Sequence, residues 1–139
     1  MLKHKEKILI IILPKNDDSS PIKGAIALAN YLCNFINVKI IFLNAINGNS
    51  RIDKKIKVYK IKSKFFKIFD LKNILNKYYN FEIKTLSFCL SADLINILIK
   101  PNVKQICTSV RGNLIKSYLS NYGLAGYVIA KFHYFLIAK

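Results

Sequence analysis

Lys7-Ile8-Leu9-Ile10-Ile11-Ile12-Leu13, then the polar stretch Pro14 to Ser19, then Ser20-Pro21-Ile22-Lys23-Gly24-Ala25-Ile26, is the part of this chain that decides its fold. A continuous Ile-rich run predicts a central strand covered on both faces. Ser20 is placed to cap the helix that follows, and Pro21 suits its first position, where a missing N–H costs nothing. Ile22, Ala25, Ile26, Ala29, Leu32, Cys33 and Ile36 then recur at helical spacing on one face. A buried strand joined to an amphipathic helix is the opening unit of a parallel sheet.

The same alternation continues outward. Val38 to Leu43 reads as a second apolar strand, Asn44 to Ser50 as a turn or loop, and Lys55 to Ile61 as a half-exposed edge strand of alternating charged and apolar residues. Ser63 to Tyr79 is expected to be helical in one or two pieces. A strand at Glu82 to Cys89, a helix at Ser91 to Ile99 and a strand at Lys104 to Val110 follow. Two helices, Leu114 to Tyr122 and Leu124 to Ala138, meet at Gly123. The predicted class is therefore α/β: a Rossmann-like, doubly wound, mostly parallel sheet with helices on both faces. The 139 residues make one domain, read as 1–139, and a doubly wound domain is not expected to finish on a helix at Lys139.

Composition narrows the function classes. A hydrophobic content of 53% supplies a core and sets disorder aside. The apolar segment around Leu124 to Ala130 meets Lys131 and His133 well short of the ~20 residues a membrane span needs. The basic start is followed by only a short apolar run and lacks a small-residue cleavage site, so it reads as the first strand of a cytoplasmic protein. Cys33, Cys89 and Cys107 form neither a disulfide framework nor a metal spacing, and each is read as a small core hydrophobe. The formal charge of +16 biases the surface toward anionic partners, including an anionic membrane face. It is spread along the chain, only Arg51 and Arg111 are arginines, and no nucleic-acid motif is present, so no specific nucleic-acid partner is expected.

Candidate site residues come from the strand ends. Arg111-Gly112-Asn113 follows a strand, where open α/β sheets place ligands, and the guanidinium of Arg111 suits phosphate or carboxylate. In the first βα loop, Ser20, Lys23 and Gly24 stand at a helix amino terminus able to hold an anionic group. The dinucleotide and P-loop glycine patterns are both absent, which argues against a self-sufficient nucleotide site. Asp17-Asp18 resembles the acidic pair of phospho-receiver domains. The aspartate and lysine those domains need are replaced here by Lys62 and Arg111, which sets that reading aside. His4 and His133 lack a Ser or Asp partner nearby in sequence and read as solvent-facing or internally satisfied. Glu82 begins a strand, away from the edge where sites form, and Asp93 reads as a residue complementing its helix dipole.

Taken in order, Ser20 to Leu32 after a strand and polar loop, Leu86-Ser87-Phe88-Cys89-Leu90-Ser91-Ala92-Asp93, and Thr108-Ser109-Val110-Arg111-Gly112-Asn113 followed by Tyr118 and Tyr122-Gly123 resemble the amino-terminal domain of bacterial family 4 glycosyltransferases. That resemblance implies one half of a GT-B fold and an acceptor-side role. The expected function is transfer of a sugar, usually with retention, from a nucleotide-sugar donor to a polysaccharide or lipid-linked acceptor. It implies neither a required metal nor a cofactor. Arg111 would stabilise negative charge where many relatives carry a histidine. Ser20, Lys23, Gly24, Ser91, Gly112 and Asn113 would approach the donor phosphate or the acceptor. The donor-binding half does not occur in these 139 residues, so the chain alone is expected to be nearly inactive. The rival expectation is a non-catalytic α/β module that recognises a phosphorylated or acidic partner.

Overall fold

The computed structural model describes residues 6–44, 51–63, 66–110 and 112–138. His4, Arg111 and most of the loop expected between Asn44 and Ser50 lie outside the described residues. Among the described residues five strands form one sheet: β1 (Lys7–Leu13), β2 (Asn37–Phe42), β3 (Lys57–Lys60), β4 (Glu82–Phe88) and β5 (Gln105–Ser109). Their order is β3-β2-β1-β4-β5, and every pairing is parallel. The helices are α1 (Ser20–Leu32), α2 (Lys67–Asn76), α3 (Leu90–Leu98), α4 (Leu114–Tyr122) and α5 (Leu124–Ile137). The expected α/β doubly wound class is the one observed.

The isoleucine run works because alternate side chains point to opposite faces of the sheet. Ile8, Ile10 and Ile12 pack beneath α2 and α3, while Ile11 and Leu13 pack beneath α1. Ile11 lies between Ile40 of β2 and Leu86 of β4. From β1 the chain winds outward to β2 and β3, then returns to place β4 on the opposite side. The gap between the ends of β1 and β4 is the switch point of the topology, where sheets of this kind hold ligands.

Local chemistry moves several boundaries. Ser19, not Ser20, stands at the start of α1, and its hydroxyl donates backward to Asp17 Oδ1 at 2.5 Å. Ser20 is already the first helical residue. The helix expected from Ser63 begins at Lys67, after Ser63 Oγ accepts the Phe66 N–H at 2.9 Å and holds a turn. It ends at Asn76, so that Tyr78 and Phe81 fold back against the core instead of continuing outward. Cys107 overturns its reading as a core residue: it is exposed, because β5 ends the sheet and has no strand on its outer side among the described residues.

A buried polar network fastens α3 to the sheet. Thr85 Oγ1 donates to Asn96 Oδ1 at 2.5 Å. Asn96 Nδ2 donates to Ser87 Oγ and to the Cys107 carbonyl, both at 3.0 Å. Each of these buried polar groups has a partner, and satisfied networks specify a unique packing. They lock α3 in a fixed rotation, with Asp93 one turn before Asn96 on the same face.

Candidate functional site

Asp93 is the residue around which the carboxyl edge of the sheet is organised. It lies in the first turn of α3, yet it is only 2% exposed, far too buried to serve simply as a surface dipole partner. Its Oδ1 accepts the Thr108 hydroxyl from β5. Its Oδ2 lies 2.7 Å from Nε2 of His133, which α5 carries in from the opposite side. Nδ1 of His133 lies 3.2 Å from the Tyr118 hydroxyl of α4. A carboxylate only accepts, so Nε2–H donates to Asp93, and in the neutral ring Nδ1 is left to accept from Tyr118 O–H. The result is an ordered chain, Tyr118 to His133 to Asp93, reaching from a cavity into the core.

The helix pair α4 and α5 makes this chain possible. Asn113 caps α4, its Oδ1 accepting the Lys116 N–H at 3.0 Å. Gly123 turns the chain at φ 59°, and Gly126 lets the helices close: a Cβ there would lie 2.0 Å from the Tyr118 carbonyl oxygen. That approach sets Tyr118 beside His133, with ring centroids 6.0 Å apart.

A cavity of about 200 Å³ opens in front of Tyr118, lined also by Pro21, Phe88, Cys89, Ser109, Leu114, Ser117, Asn121 and His133. Its walls therefore come from the start of α1, the ends of β4 and β5, and both helices of the pair. Hydroxyl and amide side chains share its lining with apolar ones, the mixture that orients small ligands in pockets. A larger cavity of about 360 Å³ lies along β5 between α3 and the end of α5, and Asp93 borders both this space and the His133 contact.

Cys89 sits at the corner between β4 and α3 with φ 73° and ψ 153°, a backbone region that side chains other than glycine rarely occupy. A thiol on a strained strand-to-helix turn near a histidine suggests a nucleophile. The electrostatics oppose that role. Burial raises the thiol pKa, and the negative charges of Asp93 and Asp17 raise it further, whereas a reactive cysteine needs the thiolate stabilised. Burial likewise raises the Tyr118 phenol, with further upward pressure from Cys89, Asp93 and Tyr122. At neutral pH both groups keep their protons, so this site offers hydrogen bonds rather than a ready anion.

None of the binding residues expected from sequence lines this cavity, although their neighbours do. Ser20, Lys23 and Ser91 are exposed at the starts of α1 and α3, and Lys23 Nζ lies 3.5 Å from Asp18 Oδ1. Gly24 is half-buried within α1. Gly112 is exposed at φ 75°, and Asn113 is engaged as the α4 cap. Asp17 accepts from Ser19, with Lys15 Nζ at 3.0 Å, and the Ser19 bond leads in holding its carboxyl below the usual range. Glu82 stays at the amino edge in an ion pair with Lys104 at 2.9 Å, as its strand position implied. Sequence reading missed Asp93 and His133 as a pair; the polar residues embedded in otherwise apolar helices were the available signal. Among the described residues no group of His, Cys, Asp and Glu is arranged to hold a metal ion. No helix among them is long and apolar enough to cross a membrane.

Comparison with known proteins adds no assignment: no protein-family model matches the chain, and no curated protein matches it.

Proposed function

We propose that this chain is the acceptor-side domain of a family 4-like glycosyltransferase, working with a nucleotide-sugar donor on a polysaccharide or lipid-linked acceptor. The observation that carries the reading is the cavity at the carboxyl edge of a 3-2-1-4-5 parallel sheet. It has the size of a single sugar ring. Phe88, Leu114 and Pro21 offer apolar contact for a ring face, while Ser109, Ser117, Asn121 and Tyr118 offer hydrogen bonds for ring hydroxyls. In this reading Tyr118 orients an acceptor hydroxyl, and His133 and Asp93 hold the phenol in place. Arg111, at the adjoining strand end in sequence, supplies positive charge toward a phosphate.

The test is an amide NMR titration of the chain with soluble glycans and short-chain lipid-linked sugars, beside a labelled UDP-sugar transfer assay. The expected result is a set of shifts confined to Cys89, Ser109, Ser117, Tyr118 and Asn121. Binding should weaken about fivefold in Tyr118→Phe, the order of one lost hydrogen bond. Transfer by the chain alone should be negligible. Vigorous transfer without a second domain would overturn the acceptor-half reading. Shifts caused by phosphopeptides and by no sugar would replace it with that of a non-catalytic binding module.

A further inference from the structure

We propose that the outward face of α5 docks on an anionic lipid bilayer and lies along its headgroup region. α5 is apolar on nearly all sides. Gly126, Ala130, His133 and Leu136 form the buried stripe. On the opposite stripe Leu124 is 88% exposed, Val128 68% and Phe135 58%, flanked by Phe132 and Tyr127. A helix with two apolar faces calls for cover on both. Exposed aromatics also stand elsewhere, such as Tyr31 and Phe35 near the end of α1 and Phe69 on α2.

Charge decides what the cover is. Asp93 is the last acidic residue in the sequence, and its carboxylate is buried against His133. From residue 94 onward the chain carries only positive charges, and both Lys116 on α4 and Lys131 at the centre of the α5 stripe are exposed. Lys131 Nζ lies 5.5 Å from the centre of the Tyr127 ring, so its stem runs along the apolar stripe while its head remains solvated. An apolar stripe bordered by tyrosines and lysines, on a stretch of sequence without acidic side chains, complements lipid tails beneath anionic headgroups. With 14 residues, α5 is about 21 Å long at 1.5 Å per residue. That is too short to span a bilayer but suits a helix lying in its plane.

Docking through α5 has a consequence for the neighbouring cavity. Leu114, Ser117, Tyr118 and Asn121 of α4 and His133 of α5 form part of its wall. The same helix pair therefore faces lipid on its outer side and the cavity on its inner side. The docking stands independently of sugar transfer.

The experiment is flotation of the 139-residue chain with vesicles of phosphatidylcholine alone or mixed with phosphatidylglycerol. It is paired with tryptophan fluorescence of Phe132→Trp, a single-site reporter because the chain has no tryptophan. Binding to the anionic vesicles only, weakened by salt and with a blue-shifted emission, is expected. Val128→Ser/Phe135→Ser should bind at least about tenfold more weakly, the order of one apolar side chain removed from lipid. Its denaturation midpoint should match that of the parent, since both side chains are exposed. Undiminished binding by this double variant would overturn the proposal in favour of general charge attraction. An unshifted emission on binding would overturn it too. Absence of vesicle binding would equally end it, and a dimer that dissociates in the double variant would then assign the face to a second copy.

Discussion

Nε2 of His133 lies 2.7 Å from Oδ2 of Asp93, and the two side chains are 4% and 1% exposed although forty positions separate them in the chain. This contact joins α5 to α3 and carries the hydrogen-bond chain that ends at Tyr118. It ties the last helix to α3, whose Ala92 packs in the same cluster as Ile8, Ile10 and Ile12 of β1.

Removing one partner should therefore cost more than removing a surface ion pair. Asp93→Ala leaves both His133 and Thr108 without their acceptor in the interior. It should lower the unfolding free energy by about 3 kcal/mol, as breakage of a buried pair does. In a double-mutant cycle with His133→Ala, urea denaturation should give a coupling of at least about 1 kcal/mol. Strictly additive losses would show that the two groups do not stabilise each other.

Cys89 holds a backbone conformation that glycine adopts without strain. Cys89→Gly should raise stability by about 1 kcal/mol, less whatever contact the half-buried thiol provides. Cys89→Val should lower it, since a β-branched residue is least suited to positive φ. Denaturation midpoints of the two variants moving in opposite directions would establish the strain; parallel losses would refute it.

Gly126 is required by distance rather than by φ. Gly126→Ala would drive its methyl group into the backbone of Tyr118 and part α4 from α5. A loss of about 2 kcal/mol is expected, in the range of overpacking. Faster amide exchange should follow in α4, while exchange in β1 stays unchanged. Protection in α4 equal to that of the parent would contradict the close approach.

Alkaline pH should destabilise the fold. Burial raises the pKa of Cys89 and Tyr118, and it also raises Tyr78, whose hydroxyl lies 2.5 Å from that of Tyr59. Above the ordinary values of 9.0 for a thiol and 10.0 for a phenol, the unfolded chain binds fewer protons than the native one. Stability therefore falls with rising pH. The contribution is fully present below those values and is lost as pH climbs through the raised ones. Urea midpoints should drop above pH 9, and Tyr78→Phe together with Cys89→Ala should flatten the decline. A midpoint independent of pH would disprove it.

The fold was legible because its signals are local. The isoleucine run, Pro21 at the start of α1 and Gly123 between α4 and α5 each act within a few residues, and each element formed where these signals stand. Boundaries moved where a side chain chose a different neighbour: Ser19 turned back to Asp17, and Ser63 held a turn ahead of α2. The exposure of Cys107 escaped detection because an apolar strand reads alike at the centre and at the edge of a sheet. The cavity escaped because Ser117, Tyr118 and Asn121 converge on Cys89 only after α4 folds over the ends of β4 and β5.

By itself the sequence determined which segments are strands and helices, that the sheet is parallel, and that the positive charge of the last third is unopposed. These follow from residue periodicity, chain reversals and composition, which need no knowledge of what lies across the core. Only the tertiary structure decided that Asp93 meets His133, that Tyr118 fronts a cavity, and that the outer side of α5 is uncovered. Those depend on the rotation and approach of whole helices, set by Asn96 locking α3 and by Gly126 admitting α5 against α4.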